Sequence, residues 1–155
     1  MEILFTKKFN GDHILSCKRE DGSVSWKHVS SFFIIHDLCH FAVETLMPLK
    51  NAFYGMVAAG TDISEFDLPK AQRNFQLTEE ALFAEQLVNM LTIEYAQGKM
   101  ENFIEIFTSI NDVEGSKALP IDELKLEKIR NLINQLMQKW NLLQEGKTIT
   151  LLFEC

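Results

Sequence analysis

From Ser31 to Leu49 the chain contains no Lys, Arg, Asn or Gln, and the surrounding stretch, SSFFIIHDLCHFAVETLMPLK over 30–50, is the most hydrophobic part of the sequence. Nearly all of that length reads as one helix that must be covered on most of its circumference, so other elements have to pack around it. Ser30 or Ser31 supplies an N-cap and Pro48 a stop. The polar exceptions are His36, Asp37, His40 and Glu44, with Thr45 the lone polar residue elsewhere on the helix. A helix advances about 100° per residue, so with Ile35 as origin they fall at roughly 100° (His36), 140° (His40), 180° (Glu44) and 200° (Asp37). Two imidazoles and two carboxylates thus form one narrow stripe on an otherwise apolar helix. Burying such groups without partners costs a few kcal/mol each, and more when they are charged.

Three explanations compete for the stripe. A solvent-facing side normally mixes in Lys, Arg or Gln, and none is present. A buried hydrogen-bond network is the second, with Glu44 accepting from His40. A metal site is the third, since these side chains are the types that bind divalent ions. His36 and His40 stand one turn apart on one face, a spacing that lets two imidazole nitrogens converge on a tetrahedral ion. The run His36-Asp37-Leu38-Cys39-His40 is similar to the HExxH motif of zinc peptidases, with Asp37 where that motif has its general-base Glu. Asp is shorter by one methylene, which sets its carboxylate on the order of 1.5 Å further back. The resemblance implies metal binding, with zinc the first choice of divalent ion, and does not extend to zinc-peptidase membership.

Glu44 lies two turns after His36, about 12 Å along the axis. It is read both as a metal ligand and as an acceptor that fixes the His40 tautomer. Another ligand then has to come from outside the helix. Glu85 is preferred, because it borders the apolar face of the next long helix and has no capping role there. Glu80 is explained by its place in a first helical turn. His28 is a weaker candidate, and His13, beside a hairpin turn, is expected to be exposed. Cys39 faces the core and makes a poor nucleophile. The expected metal set is therefore His36, His40, Glu44 and Glu85, with Asp37 as the catalytic group that orients or deprotonates water.

Ahead of this helix, Asn10-Gly11 and Asp21-Gly22 are dipeptides suited to tight hairpin turns. They divide 2–29 into three strands (2–8, 13–19 and 23–29) of an antiparallel meander, in which Trp26 is expected to anchor the buried face. A short helix spans 51–59, an irregular loop 61–76, and a helix capped by Thr78 runs to Gln97 with its apolar face on Ala84, Leu87, Val88, Leu91 and Tyr95. A shorter helix over 101–109 precedes a loop over 111–120. A long amphipathic helix over 122–145 and a strand over 148–154 beside the meander complete the chain. The expected fold is α+β: one domain over 1–155, with a small antiparallel sheet packed against four or five helices.

A net charge of -7 and a pI near 5.1 argue against a nucleic-acid backbone as partner. No apolar run reaches the roughly 20 residues that span a bilayer, which argues against a membrane. The first residues lack a secretory pattern, and three cysteines without CxxC spacing do not make a disulfide framework, so a cytoplasmic location is expected. The function read from this pattern is a small metal-binding protein, a metal-dependent hydrolase acting on a small molecule or peptide. The alternative is a non-catalytic structural or interaction module, with the helix over 122–145 offering a face for a homo-oligomeric contact.

Overall fold

The computed structural model describes residues 1–114 and 119–154. Its sheet has four antiparallel strands: β1 (Glu2–Thr6), β2 (Asp12–Lys18), β3 (Val24–Ser30) and β4 (Thr148–Leu152), in the order β3-β2-β1-β4. Gly11 and Gly22 take φ of 72° and 84°, the left-handed turn conformations that their dipeptides were expected to adopt. β1 lies inside the sheet, so Ile3 and Phe5 are fully buried, with Phe5 opposite Leu15 on one side and Ile149 on the other. The chain ends are laced together: the Met1 amino group donates to the Phe153 carbonyl at 2.9 Å, and the Phe153 N–H donates back to Met1.

Among the described residues five α-helices follow the meander: α1 (Ser31–Leu46), α2 (Phe53–Ala58), α3 (Glu79–Gln97), α4 (Phe103–Glu114) and α5 (Glu123–Leu142). α1 is central. Ile34, Leu38 and Phe41 pack towards the sheet with Tyr54, Leu136 and Trp140. Cys39, Ala42 and Val43 pack on the other side among residues of α3, α4 and α5, including Leu87, Val88, Phe107 and Ile129. From Ile34 to Val43 the apolar circumference of α1 is therefore spent on two layers at once, which leaves its polar stripe, and Phe32 and Phe33 at its start, outside the core. Each fully buried Leu, Ile or Phe stabilises the fold by about 1.5–3 kcal/mol. The helix starts follow sequence logic: the Thr78 hydroxyl accepts from the Ala81 N–H at 3.0 Å, and Asp122 accepts from Lys125 at 2.7 Å. No described helix is long and apolar enough to cross a membrane.

Several local expectations change. Trp26 does not anchor the buried face; it is 54% exposed. β2 buries His13, Leu15 and Cys17, whose partners on β3 are Val29, Lys27 and Ser25, so the pleat turns Trp26 to the opposite face with Ser16. His13 is buried, not exposed: its Nδ1 accepts from the Lys8 N–H, its Nε2 meets the Ser31 hydroxyl at 3.0 Å, and Trp140 packs edge-on at 4.9 Å. Ser30 is the N-cap of α1 by position, but no side-chain capping bond forms. His28 is exposed and pairs with Asp12 at 3.0 Å. Tyr95 is exposed, and Glu94 takes the buried place beside it. The 61–76 connection is organised by two 3-10 turns, Ile63–Asp67 and Lys70–Gln72. α4 runs through Glu114 where a loop over 111–120 was expected; of the rest of that loop, 115–118 lie outside the described residues.

Candidate metal centre

His36 and His40, one turn apart on α1, bring their rings to a centroid separation of 4.8 Å. Glu85 reaches them from α3 and sets one carboxylate oxygen against each ring. Its Oε1 is 3.5 Å from His36 Nε2, and its Oε2 is 3.2 Å from His40 Nε2. One ligand atom from each of these three residues lies within 4.8 Å of the others, close enough to share one ion. A tetrahedral ion with bonds of about 2.0–2.1 Å holds its ligand atoms roughly 3.3 Å apart, close to these two contacts, which use different oxygens of Glu85. The three-residue set, spread over as much as 4.8 Å, draws together to bind one ion.

Compared with known proteins, the chain matches no family model, no curated protein and no solved structure. The chemistry of the site therefore has to be read from its own atoms.

Glu44 stands apart from the three converging groups, on the other side of the His40 ring. Its Oε1 is 3.1 Å from His40 Nδ1. Its Oε2 accepts the N–H groups of Tyr54 at 2.8 Å and Gly55 at 3.3 Å, at the start of α2. Two backbone donors commit that carboxylate as an acceptor, so the proton of the His40–Glu44 contact belongs on Nδ1. Nε2 then faces Glu85 with a proton in the metal-free protein, and offers its lone pair to an ion once that proton leaves. Gly55 makes this arrangement possible, since a Cβ built there would lie against the Lys50 carbonyl oxygen. Glu44 thus fixes a tautomer and caps a helix at the same time.

The electrostatics follow from burial set against pairing. Burial works to lower the His40 pKa, but contacts with Glu44 and Glu85 outweigh it and raise it to about 9. His36 is raised as well: burial opposes, while Asp37 and Glu85 favour the cation. The two imidazoles hold the Glu85 carboxyl well below the usual range, against the effect of burial. Burial pushes the Glu44 carboxyl up, and His40 with the two backbone donors pulls the other way. Asn89 adds a 3.2 Å hydrogen bond to Glu85 Oε1.

Asp37 is 5% exposed, with its Oδ1 3.8 Å from His36 Nδ1, beyond hydrogen-bonding range. Its Oδ2 is buried and has no hydrogen-bond partner among the described residues. An unmet buried carboxylate oxygen costs about 1–3 kcal/mol or more, so this atom calls for a ligand, water or proton.

The centre forms part of the wall of a cavity of about 350 Å³, to which His36, Asp37, His40 and Glu85 contribute the polar side. The aromatic wall begins at His40. Phe53 lies 5.2 Å from its ring and Phe66 lies 4.7 Å from Phe53; Phe75, 4.8 Å from Phe66, backs this wall without lining the cavity. Lys27 from β3 and Arg73, just after the second 3-10 turn, bring the positive charges. The sequence pattern marked 61–76 only as an irregular loop and did not single out Arg73 or the aromatic wall. The one available signal was the loop's cluster of Phe66, Arg73 and Phe75. The other preliminary candidates fall elsewhere: Glu80 accepts from the Asn51 N–H at 2.7 Å, and the Cys39 thiol is pushed up to about 12 by burial.

Proposed function

We propose that this protein binds one divalent metal ion through His36, His40 and Glu85, and that the ion serves hydrolysis of a small substrate in the adjoining cavity. The observation that carries the proposal is the convergence of two imidazole nitrogens and a carboxylate, with Glu44 placed 3.1 Å from the far nitrogen of His40, where it can hold the tautomer. Zinc is the ion that best suits two nitrogens and a carboxylate oxygen, and three protein ligands leave a tetrahedral ion with one open position. Such an ion supplies Lewis acidity, polarising a carbonyl or phosphoryl oxygen and acidifying water. In this reading Glu44 orients His40 and is not itself a ligand. Asp37, lining the same cavity with an unpartnered oxygen, is the proton acceptor of the reaction. The free, buried Cys17 and Cys39 suit a reducing cytoplasm.

A second reading rests on the same distances. A protonated His40 between Glu44 and Glu85 would join α1, α2 and α3 with no ion at all, as a structural network in a non-catalytic module. Metal content separates the two. Protein purified without a histidine tag or added metal is assayed by elemental analysis beside His36→Ala and His40→Ala variants. The metal reading expects about one ion per chain in the parent and a loss in both variants. Metal-poor parent protein, or variants that keep their metal, would establish the network instead.

A further inference from the structure

The cavity next to the centre has an uneven distribution of charge that bears on what enters it. Lys27 is neutralised by Asp67, at 2.9 Å. Arg73 has no carboxylate partner among the described residues. Its Nε–H donates to the Leu68 carbonyl and its Nη2–H to the Phe66 carbonyl, both at 2.9 Å. Two backbone carbonyls hold the guanidinium plane without cancelling its charge, and Nη1 has no partner among the described residues. An arginine fixed in this way is pre-organised to bind an oxyanion, because little side-chain freedom remains to be lost.

Among the charged side chains that line the cavity, Lys27 is paired with Asp67, and His36, Asp37, His40 and Glu85 belong to the centre. Arg73 is left as the lining cation with no acidic partner among the described residues, and one guanidinium fork suits one carboxylate. Between Arg73 and the centre runs the aromatic wall of Phe53 and Phe66, joined on the α1 side by Phe33. The volume of about 350 Å³ is that of a small-molecule site.

We infer that the substrate is a small carboxylic acid with an apolar body. Arg73 holds its carboxylate, Phe53 and Phe66 flank the body, and the bond to be cleaved lies towards His36, His40 and Glu85. The position of the cleaved bond rests on the metal reading above, whereas the hold on the carboxylate rests on Arg73 alone.

Zinc uptake is measured first, by elemental analysis after loading and desalting. Binding of para-fluorobenzoate and of its neutral counterpart para-fluorobenzamide is then followed by fluorine NMR, for the parent, Arg73→Gln and Arg73→Lys. The acid is expected to bind at least about tenfold more tightly than the amide. Arg73→Gln removes that preference, Arg73→Lys keeps part of it, and neither variant changes zinc uptake. Equal binding of acid and amide by zinc-loaded parent, or an unchanged preference in Arg73→Gln, overturns the carboxylate inference and leaves the metal reading standing. Protein that takes up no zinc yet prefers the acid through Arg73 overturns the metal reading and supports the carboxylate site.

Discussion

Two clusters of charged side chains are enclosed between helices of this protein, and they are built on opposite principles. Between α3 and α5, Arg130 donates to Glu94 at 2.6 and 3.0 Å and to Glu127 at 2.6 Å. Glu94 also accepts the Met100 N–H at 2.7 Å, and Lys99 reaches Glu127 at 2.8 Å. Every acid there has a permanent cation. Between α1 and α3 the cations are imidazoles, whose charge depends on pH, and Asp37 keeps an oxygen without a partner among the described residues. Both clusters border cavities of similar size, about 320 and 350 Å³, so volume does not distinguish them. Chemistry does. The arginine cluster is a closed cross-link, and the histidine cluster is an open set of donors that can exchange protons for a metal ion.

The largest effect that separates the two concerns stability. Arg130→Met leaves Glu94 buried without its cation, and breaking such a pair costs on the order of 3 kcal/mol. Urea unfolding should show that loss while metal content stays at the parental value. A variant that lost metal together with stability would show that the two clusters are coupled.

Gly55→Ala strikes the histidine side with comparable force. A Cβ at Gly55 would overlap the Lys50 carbonyl, so the start of α2 must shift and take the two donors to Glu44 with it. The expected cost is about 3 kcal/mol. Metal affinity should fall in the same variant, read by competition with a chelating dye. A stable variant with unchanged affinity would remove α2 from the account.

Glu44→Gln is milder. It keeps the shape but weakens the acceptor that holds His40 Nδ1, and loss of such a partner typically lowers metal affinity about 10–100-fold. Parental affinity in this variant would make Glu44 only a helix cap.

The smallest effect is graded with pH. Because His40 is raised to about 9, it carries a proton at neutral pH in the metal-free protein, and binding has to displace it. Apparent zinc affinity should therefore rise with pH until pH passes about 9, by about tenfold per pH unit from His40 alone and more steeply where His36 is also protonated. Stability of the metal-free protein moves the other way. A histidine whose pKa rises from 6.5 to about 9 on folding contributes stability that is fully present below 6.5 and lost as pH rises through about 9. Melting of chelator-treated protein across that range should show a decline that Arg130 and Glu94 do not supply, since the guanidinium stays charged throughout.

Much of the fold was legible because local chemistry set it. Asn10-Gly11 and Asp21-Gly22 turned the meander, Thr78 and Asp122 began their helices, and the apolar run after Ser30 required a central helix. Trp26 shows the limit. Alternation along β3 defines two faces, but which one is covered was decided by His13, Leu15 and Cys17 on the neighbouring strand. Half of the site was similarly legible. Helical spacing put His36 and His40 together, whereas the approach of Glu85 depends on how α3 packs against α1 across 45 residues of sequence from His40. The bond from Glu44 to Tyr54 and Gly55, and the anchoring of Arg73 by backbone carbonyls, involve main-chain groups that no side-chain pattern displays.

The central claim is that His36, His40 and Glu85 hold one ion, and X-ray absorption at the zinc edge of the loaded protein tests it most directly. The account predicts about four nitrogen or oxygen neighbours at roughly 2.0–2.1 Å, with the outer-shell scattering of two imidazoles, and one imidazole fewer in His36→Ala. A sulfur neighbour near 2.3 Å, or a spectrum without imidazole scattering, would contradict it.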